Sequence, residues 1–306
     1  MLLVSLSWSV SAQEKYPSRP IEFIVPWGPG GGADQLARKA AKLMEEDLKV
    51  SLPVVNSPGA TGNTGMAKLL AGAADGYSIS IMTWDTYALL ATSNTRWALK
   101  DIIPVALMIK QPSSFLTATN GNLKTWADVE REARKQPLKV AVTEFGSPDE
   151  ITVNFFIARG LKLISVPFAN PGERYTAVLG GHADLLYEQI GDVRSFVDSK
   201  QIQPIIVFAD KRFSVFPDVP ASKELGYDIT LPQRRAVIMK AGTDPQKVKV
   251  IAAALAKVAA SPEYKAYLKE QYATDDSYFG TEESLKIMEE ELAQMKRMST
   301  PPAPPK

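Results

Sequence analysis

The chain has 306 residues, 45% of them hydrophobic, and Lys+Arg 35 against Asp+Glu 34 leaves a formal charge of +1. That size and apolar content suit two domains with their own cores, while the even charge offers no footprint for nucleic acid or an anionic membrane. Cysteine is absent and histidine occurs once, at His182, so disulfides and thiolate metal sites are excluded and no metal or cofactor is expected.

At the front, MLLVSLSWSVSA (residues 1–12) is a short apolar run ending in Val10, Ser11 and Ala12, which reads as the remnant of a signal peptide cleaved after Ala12 and predicts export to the periplasm. The run is too short to span a bilayer. Next comes PIEFIVPWGPGGGAD, from Pro20 to Asp34. Ile21, Phe23, Ile24 and Val25 predict a buried strand, Pro26 and Pro29 end it, and Gly30, Gly31 and Gly32 let backbone approach a ligand. A helix follows, with Leu36, Ala40, Leu43, Met44 and Leu48 at helical spacing and Asp34 as its cap. Its unpaired N–H groups would face the turn and favour an anion.

Gly28, Gly30 and Ala33 also satisfy the loose G-x-G-x-x-A dinucleotide pattern. A nicotinamide site would want an acid at the end of the second strand, where LPVVNSP supplies Asn56. The phosphate loop G-x-x-x-x-G-K-[ST] is missing as well, which leaves a small carboxylate as the better guest.

SLPVVNSP predicts a second strand, PGATGNTGMAKLLAG a turn and a helix stopping at Gly72, and ADGYSISIMTW a third strand entered through Asp75 and Gly76. This β-α-β-α-β order predicts parallel sheet with helices on both faces. Between Ile103 and Thr119, extended apolar pieces break at Pro112 and Ser113, where the chain can cross between lobes. The pattern then restarts: helix TWADVEREARK capped by Thr125, strand KVAVTEF, helix ITVNFFIARG, strand KLISVPF, helix GERYTAVLGG, strand ADLLYEQ, a helix around Val193 to Val197, and strand QPIIVFA. His182, inside LGGHADLL, reads as a turn or helix-end residue. LPQRRAVIMK predicts the return crossing, before helices over Pro245 to Ala260, Pro262 to Gln271, and Thr281 to Met298 with its stripe of Leu285, Met288, Leu292 and Met295. The tail STPPAPPK reads as disordered polyproline. These boundaries predict a first lobe from 13–115 plus 235–298, a second from 116–234, and a tail at 299–306.

The ordered landmarks YPSRPIEFIVPWGPGGGADQLAR, VVNSPGATGNTGMAKLLAGAADGYSISI, VPFANPGERYTAVLGGHADLL, FADKRFSVFPDVPASKELGY and RRAVIMKAGTDPQKV together resemble the solute-binding receptors of tripartite tricarboxylate transporters, often called Bug proteins. The resemblance runs almost end to end. It implies a type II periplasmic-binding-protein fold, two α/β lobes joined by crossing strands with the ligand in the cleft between them. It also implies a monomer without catalytic chemistry, whose partners are a small organic acid and the permease subunits of the membrane transporter. A sensory receptor presenting its closed complex to a signalling partner has the same fold, and an α/β enzyme working with carboxylates alone stays open as a further reading.

In that family a ligand carboxylate is held chiefly by backbone amides, hydroxyls and waters at the glycine turn and the following PGA-type turn. Both turns here open helices. Micromolar affinity needs only about 8 kcal/mol, so no arginine clamp is required. In the first lobe the candidate cleft residues are Trp27, Gly30, Gly31, Gly32, Thr61, Asn63, Thr83 and Thr86, with Asp34 and Asp85 beside them. Arg38, one turn into the first helix, is expected to be solvated. In the second lobe they are Thr143, Ser147, Asp149, Asn170, Gly172, Asp184 and Glu188, placed near the carboxyl ends of strands or in the turns that follow. Two departures from the family stand out, Trp84 with Asp85 in TWDT and the acids of TEFGSPDEIT. The extra acids predict a guest carrying an ammonium or several hydroxyls besides its carboxylate, and Trp84 would admit an aromatic acid.

Overall fold

The computed structural model describes residues 15–92 and 95–299; the leader at 1–12 and the tail beyond 299 lie outside the described residues. The first strand, β1 (Glu22–Val25), leads through the glycine turn into α1 (Gly32–Leu48), then β2 (Val54–Asn56), α2 (Asn63–Ala71) and β3 (Ser78–Thr83). These three strands are parallel, with β1 between β2 and β3. Alternation along β1 separates its faces: Phe23 and Val25 enter the core beneath α1, and Ile24 enters a second core on the opposite side. Burial of each such side chain stabilises by about 1.5–3 kcal/mol.

A helix that the sequence pattern does not announce, α3 (Trp84–Thr92), begins directly where β3 ends. The chain then runs through β4 (Ile102–Gln111), passes Pro112, and enters β5 (Ser113–Ala118). Beyond it lie α4 (Trp126–Lys135), β6 (Leu138–Val142), α5 (Pro148–Ile157), β7 (Leu163–Pro167), α6 (Pro171–Leu179), β8 (Leu185–Gln189), α7 (Arg194–Asp198) and β9 (Ile202–Val207). As expected, Thr125 caps α4, in a reciprocal box with Asp128, and His182 is exposed just past the end of α6. The return strand β10 (Gln233–Lys240) is followed by α8 (Pro245–Ala260), α9 (Pro262–Glu270) and α10 (Thr281–Ser299).

Two five-stranded sheets result, ordered β2-β1-β3-β10-β4 and β7-β6-β8-β5-β9. Neither is wholly parallel, in contrast to the simple reading of alternating strands and helices. β10 runs antiparallel to β3 and β4, and β5 runs antiparallel to β8 and β9. The reason is the double crossing: a strand that enters from the other lobe meets the sheet from the opposite end. Both crossings carry a proline, Pro112 and Pro232, and they lie side by side, since Gln233 pairs with Gln111 and Ser113 Oγ donates to the Leu231 carbonyl at 3.1 Å.

The lobes also touch at Gly191, after β8, which lies against the backbone of Gln271 at the end of α9. A Cβ at Gly191 would come within 2.6 Å of Gln271 Cα and collide with its carbonyl group. Backbone cannot swing aside as a side-chain tip does. Gly191→Ala is therefore expected to cost at least about 1–3 kcal/mol as overpacking and to lower the melting temperature by several degrees. An unchanged melting curve would show that this contact is loose.

Candidate ligand-binding cleft

The glycine turn is shaped by one carboxylate. Asp34 does not cap α1, whose N-cap is Gly31 with no side-chain bond; it accepts from the Gly30 N–H at 3.0 Å, Arg38 Nε at 2.9 Å and Asn56 Nδ2 at 3.0 Å. Arg38 is thus paired rather than simply solvated. Asn56 Nδ2 donates also to the Trp27 carbonyl, and Trp27 Nε1 donates to Thr83 Oγ1, both at 2.9 Å. The turn is held from beneath, with Gly31 and Gly32 left facing the second lobe. Glycine is needed here for close approach, because a Cβ on Gly31 would lie 2.8 Å from the Pro171 ring that opens α6.

The second turn takes left-handed backbone through Gly59, Ala60, Thr61 and Gly62 before α2 begins. Two non-glycine residues in that region store roughly 1–3 kcal/mol each. Its cradle is already filled: the Thr61 N–H donates to the Glu144 carboxylate, from the loop between β6 and α5, and Thr61 Oγ1 donates to the same oxygen at 2.6 Å. The anion at this helix start belongs to the chain itself.

Between the lobes lies a void of about 40 Å³, lined by Trp27, Gly31, Gly32, Thr83, Asp85, Thr143, Asp149 and Glu188 together with Pro171, Arg174, Tyr175, Gln189, Asp192, Gln233 and Arg235. A water needs about 10–15 Å³ by the same measure, so the cleft is nearly shut. Two buried guanidiniums form its floor. Arg174 donates to Thr143 Oγ1 and to the Glu188 carboxylate, which also accepts from the Tyr175 hydroxyl at 2.9 Å. Arg235, on β10, donates to Asp192 and Gln111 and reaches Gln189 Oε1 at 3.3 Å. Burial lifts the Asp192 carboxyl to about 6 although Arg235 pulls the other way.

Several sequence candidates stand elsewhere. Gly30 is exposed at the tip of its loop with open space around it, and Gly172 is exposed likewise. Asn63 accepts from Trp97 Nε1 at 2.8 Å, Thr86 packs against Gly62, and Ser147 caps α5. Asn170 approaches Gly28 and donates to Glu173 at 3.0 Å. Asp184 accepts the Lys139 N–H at 2.7 Å just before β8 starts, so it stands at the amino end of that strand while the cleft lies at the carboxyl end. Trp84 is 1% exposed in the core with Tyr87 and Met288, and cannot receive an aromatic guest.

The sequence reading missed Arg174, Arg235, Tyr175, Gln189, Asp192 and Gln233. A signal existed for one of them: an arginine inside RRAVIMK, a strand too apolar to face water, has to meet a buried partner. Both arginines line the cleft, each already neutralised by an acid of its own.

Two α/β lobes of the same strand plan, bridged twice and closing on a polar cleft, define a two-lobed solute receptor of the periplasmic-binding-protein kind. The family model described as Tripartite tricarboxylate transporter family receptor matches residues 36–300. The chain belongs to that family.

Among its relatives, an Agrobacterium vitis protein described as a UPF0065 protein in the TAR-I ttuE-ttuC' intergenic region is 28% identical over 229 residues; the match covers 72% of this chain and 65% of that protein, just under two thirds of its length. Protein BugT of Bordetella pertussis (strain Tohama I) is 27% identical over 246 residues, covering 78% of this chain and 76% of BugT. The solved structure of MatC from Rhodopseudomonas palustris with bound malate superposes with a TM-score of 0.86 at 21% identity, covering 93% of this chain and 100% of that one. At that identity the likeness is one of fold.

Proposed function

We propose that this chain is a periplasmic receptor that captures a small organic acid between its lobes, changes no covalent bond in it, and in its closed form is read by the permease subunits of a tripartite tricarboxylate transporter. It works as a monomer, exported by the leader at residues 1–12. The observation that carries this reading is the start of α1 at Gly31 and Gly32, which opens into the interlobe cleft beside Arg235. A helix start contributes roughly 0.3–1 kcal/mol toward an anion, and up to about 2 when partly buried. Seated between lobes, an acid touching both would favour closure by its differential affinity for the closed state. The malate held by MatC supports a carboxylate as the class of guest.

Titration calorimetry against a panel of small carboxylic acids tests the reading, with the ligand recovered afterwards and inspected by NMR. Binding near micromolar, equivalent to about 8 kcal/mol, and an unaltered ligand are expected. A Cβ at Gly32 would collide with the Asp192 carboxylate and the Arg235 guanidinium, so Gly32→Ala should weaken capture by about 10-fold or more. Failure of every acid to bind, or turnover of a bound one, would overthrow the proposal.

A further inference from the structure

The cleft holds two carboxylates from opposite lobes, neither of them in an ion pair. Asp85 lies in the first turn of α3 and Asp149 in the first turn of α5. They are 6% and 2% exposed, and both line the interlobe void. Asp85 Oδ2 accepts from Gln233 Nε2 at 2.6 Å, and Asp149 Oδ2 accepts from the Thr143 N–H and from Thr143 Oγ1, each at 2.8 Å. Their Oδ1 atoms have no hydrogen-bond partner among the described residues, and no ion pair reaches either side chain. The remaining charges of the cleft are already matched, Arg174 with Glu188 and Arg235 with Asp192. Four acids therefore share two guanidiniums, and the unmatched pair faces the void.

An independent observation limits how many carboxylates a guest can bring. Of the two helix starts that could receive one, that of α2 is occupied by Glu144 through Thr61, while that of α1 lines the void at Gly31 and Gly32 with the Arg235-paired Asp192 close beside it, which leaves room for one carboxylate at most. A dicarboxylate would have to set its second charge against Asp85 and Asp149. Opposite-charge pairing in a buried site favours the reverse arrangement.

We infer that the ligand is a small zwitterion, an amino acid or a similar ammonium-bearing monocarboxylate, with its carboxylate at Gly31 and Gly32 and its ammonium between Asp85 and Asp149. The assignment rests on the carboxylate capture proposed above and narrows it. An ammonium carries three donors and no acceptor, enough to satisfy both free Oδ1 atoms. It would tie α3 of one lobe to α5 of the other. Burial and the neighbouring Asp85 charge raise the Asp149 carboxyl to about 8, as fits two acids that resist joint ionisation until a cation arrives.

Calorimetry with matched probes decides the matter: alanine against propionate, aspartate against succinate, and ethylamine as an amine without a carboxylate. Each amino acid is expected to bind at least 10-fold tighter than its deaminated counterpart. Asp85→Asn and Asp149→Asn should each erase that ratio by weakening the amino acid and leaving the deaminated acid unchanged or tighter. Because the ratio is taken within one variant, partial loss of folded protein does not alter it. Propionate or succinate binding as tightly as its amino counterpart in the wild type would overturn the inference while leaving the acid receptor intact. Ethylamine binding as well as alanine would overturn the carboxylate half, and silence from all five probes would bring down both readings.

Discussion

Arg235→Met alone should lower the unfolding free energy by about 3–5 kcal/mol, since it strips a buried carboxylate of its cation. The side chains of Arg235 and Asp192 are only 4% and 2% exposed. Neither can turn to water without parting the lobes. The double variant Arg235→Met, Asp192→Asn should recover much of the loss, because removing both charges removes the desolvation cost along with the attraction. Urea denaturation of the four proteins of the cycle would measure the coupling. The deficit of the single variant should grow as the pH rises above about 6, since the wild-type Asp192 carboxyl gives up its proton there while the variant's, deprived of Arg235, holds it to higher pH. A single variant with the wild-type midpoint, or a double variant worse than the sum of its parts, would show that the pair is not the buried unit described.

Raising the pH from 6 to 9 should destabilise the ligand-free protein, with Asp149 as the main cause. Its carboxyl is lifted from an ordinary value of 3.8 to about 8, first by burial and then by the Asp85 charge, with Arg174 and the bonds from Thr143 opposing. A folded-state value above the unfolded one means that the folded protein holds the proton more tightly across that window. Stability is then full below about pH 4 as far as this group is concerned, and is lost as the pH climbs through 8. A few kcal/mol corresponds to a fall of about 5–10 °C in melting temperature for a chain of this size. Asp149→Asn cannot ionise, so its curve should be flatter between pH 6 and 9 and should lie above the wild type at pH 9. Parallel curves for the two proteins would remove Asp149 from the explanation.

The frame of the molecule is legible because its signals are local. A strand closed by Pro26, a run of glycines and the Leu36 to Leu48 stripe suffice to predict β1, the turn and α1, and Gly72 marks the end of α2 as it should. α3 escapes because WDTYALLAT follows β3 with no proline or glycine between them, and the residue that caps it, Thr83, is itself the last of the strand, accepting the Thr86 N–H at 3.4 Å. Strand direction escapes for a different reason: that β10 runs against β3 depends on which lobe the chain has just left, and no local pattern carries that information.

The cleft is half legible. Trp27, Gly31, Gly32 and Thr83 follow from the rule that guests meet the carboxyl ends of strands, and Asp85 and Asp149 stand out as acids where small residues are usual. Arg174 does not stand out, since a surface arginine and a buried one look alike until folding brings Glu188 of the same lobe against it, and the acid that matches Arg235, Asp192, arrives only from the opposing lobe. Glu144 is missed for the same reason, as its partner Thr61 lies 83 positions earlier in the chain. Asp184 shows the converse error, one residue on the wrong side of a strand start.

The second sheet is drawn from one uninterrupted stretch, β5 through β9, whereas the first must borrow β10 from beyond it to stand between β3 and β4. Chain emerging from its amino end would thus complete the inner unit while the outer one still lacks an internal strand. The segment begun earliest is finished last, and its apolar edges stay uncovered until residue 240 has arrived, an interval in which a holding chaperone has something to grip.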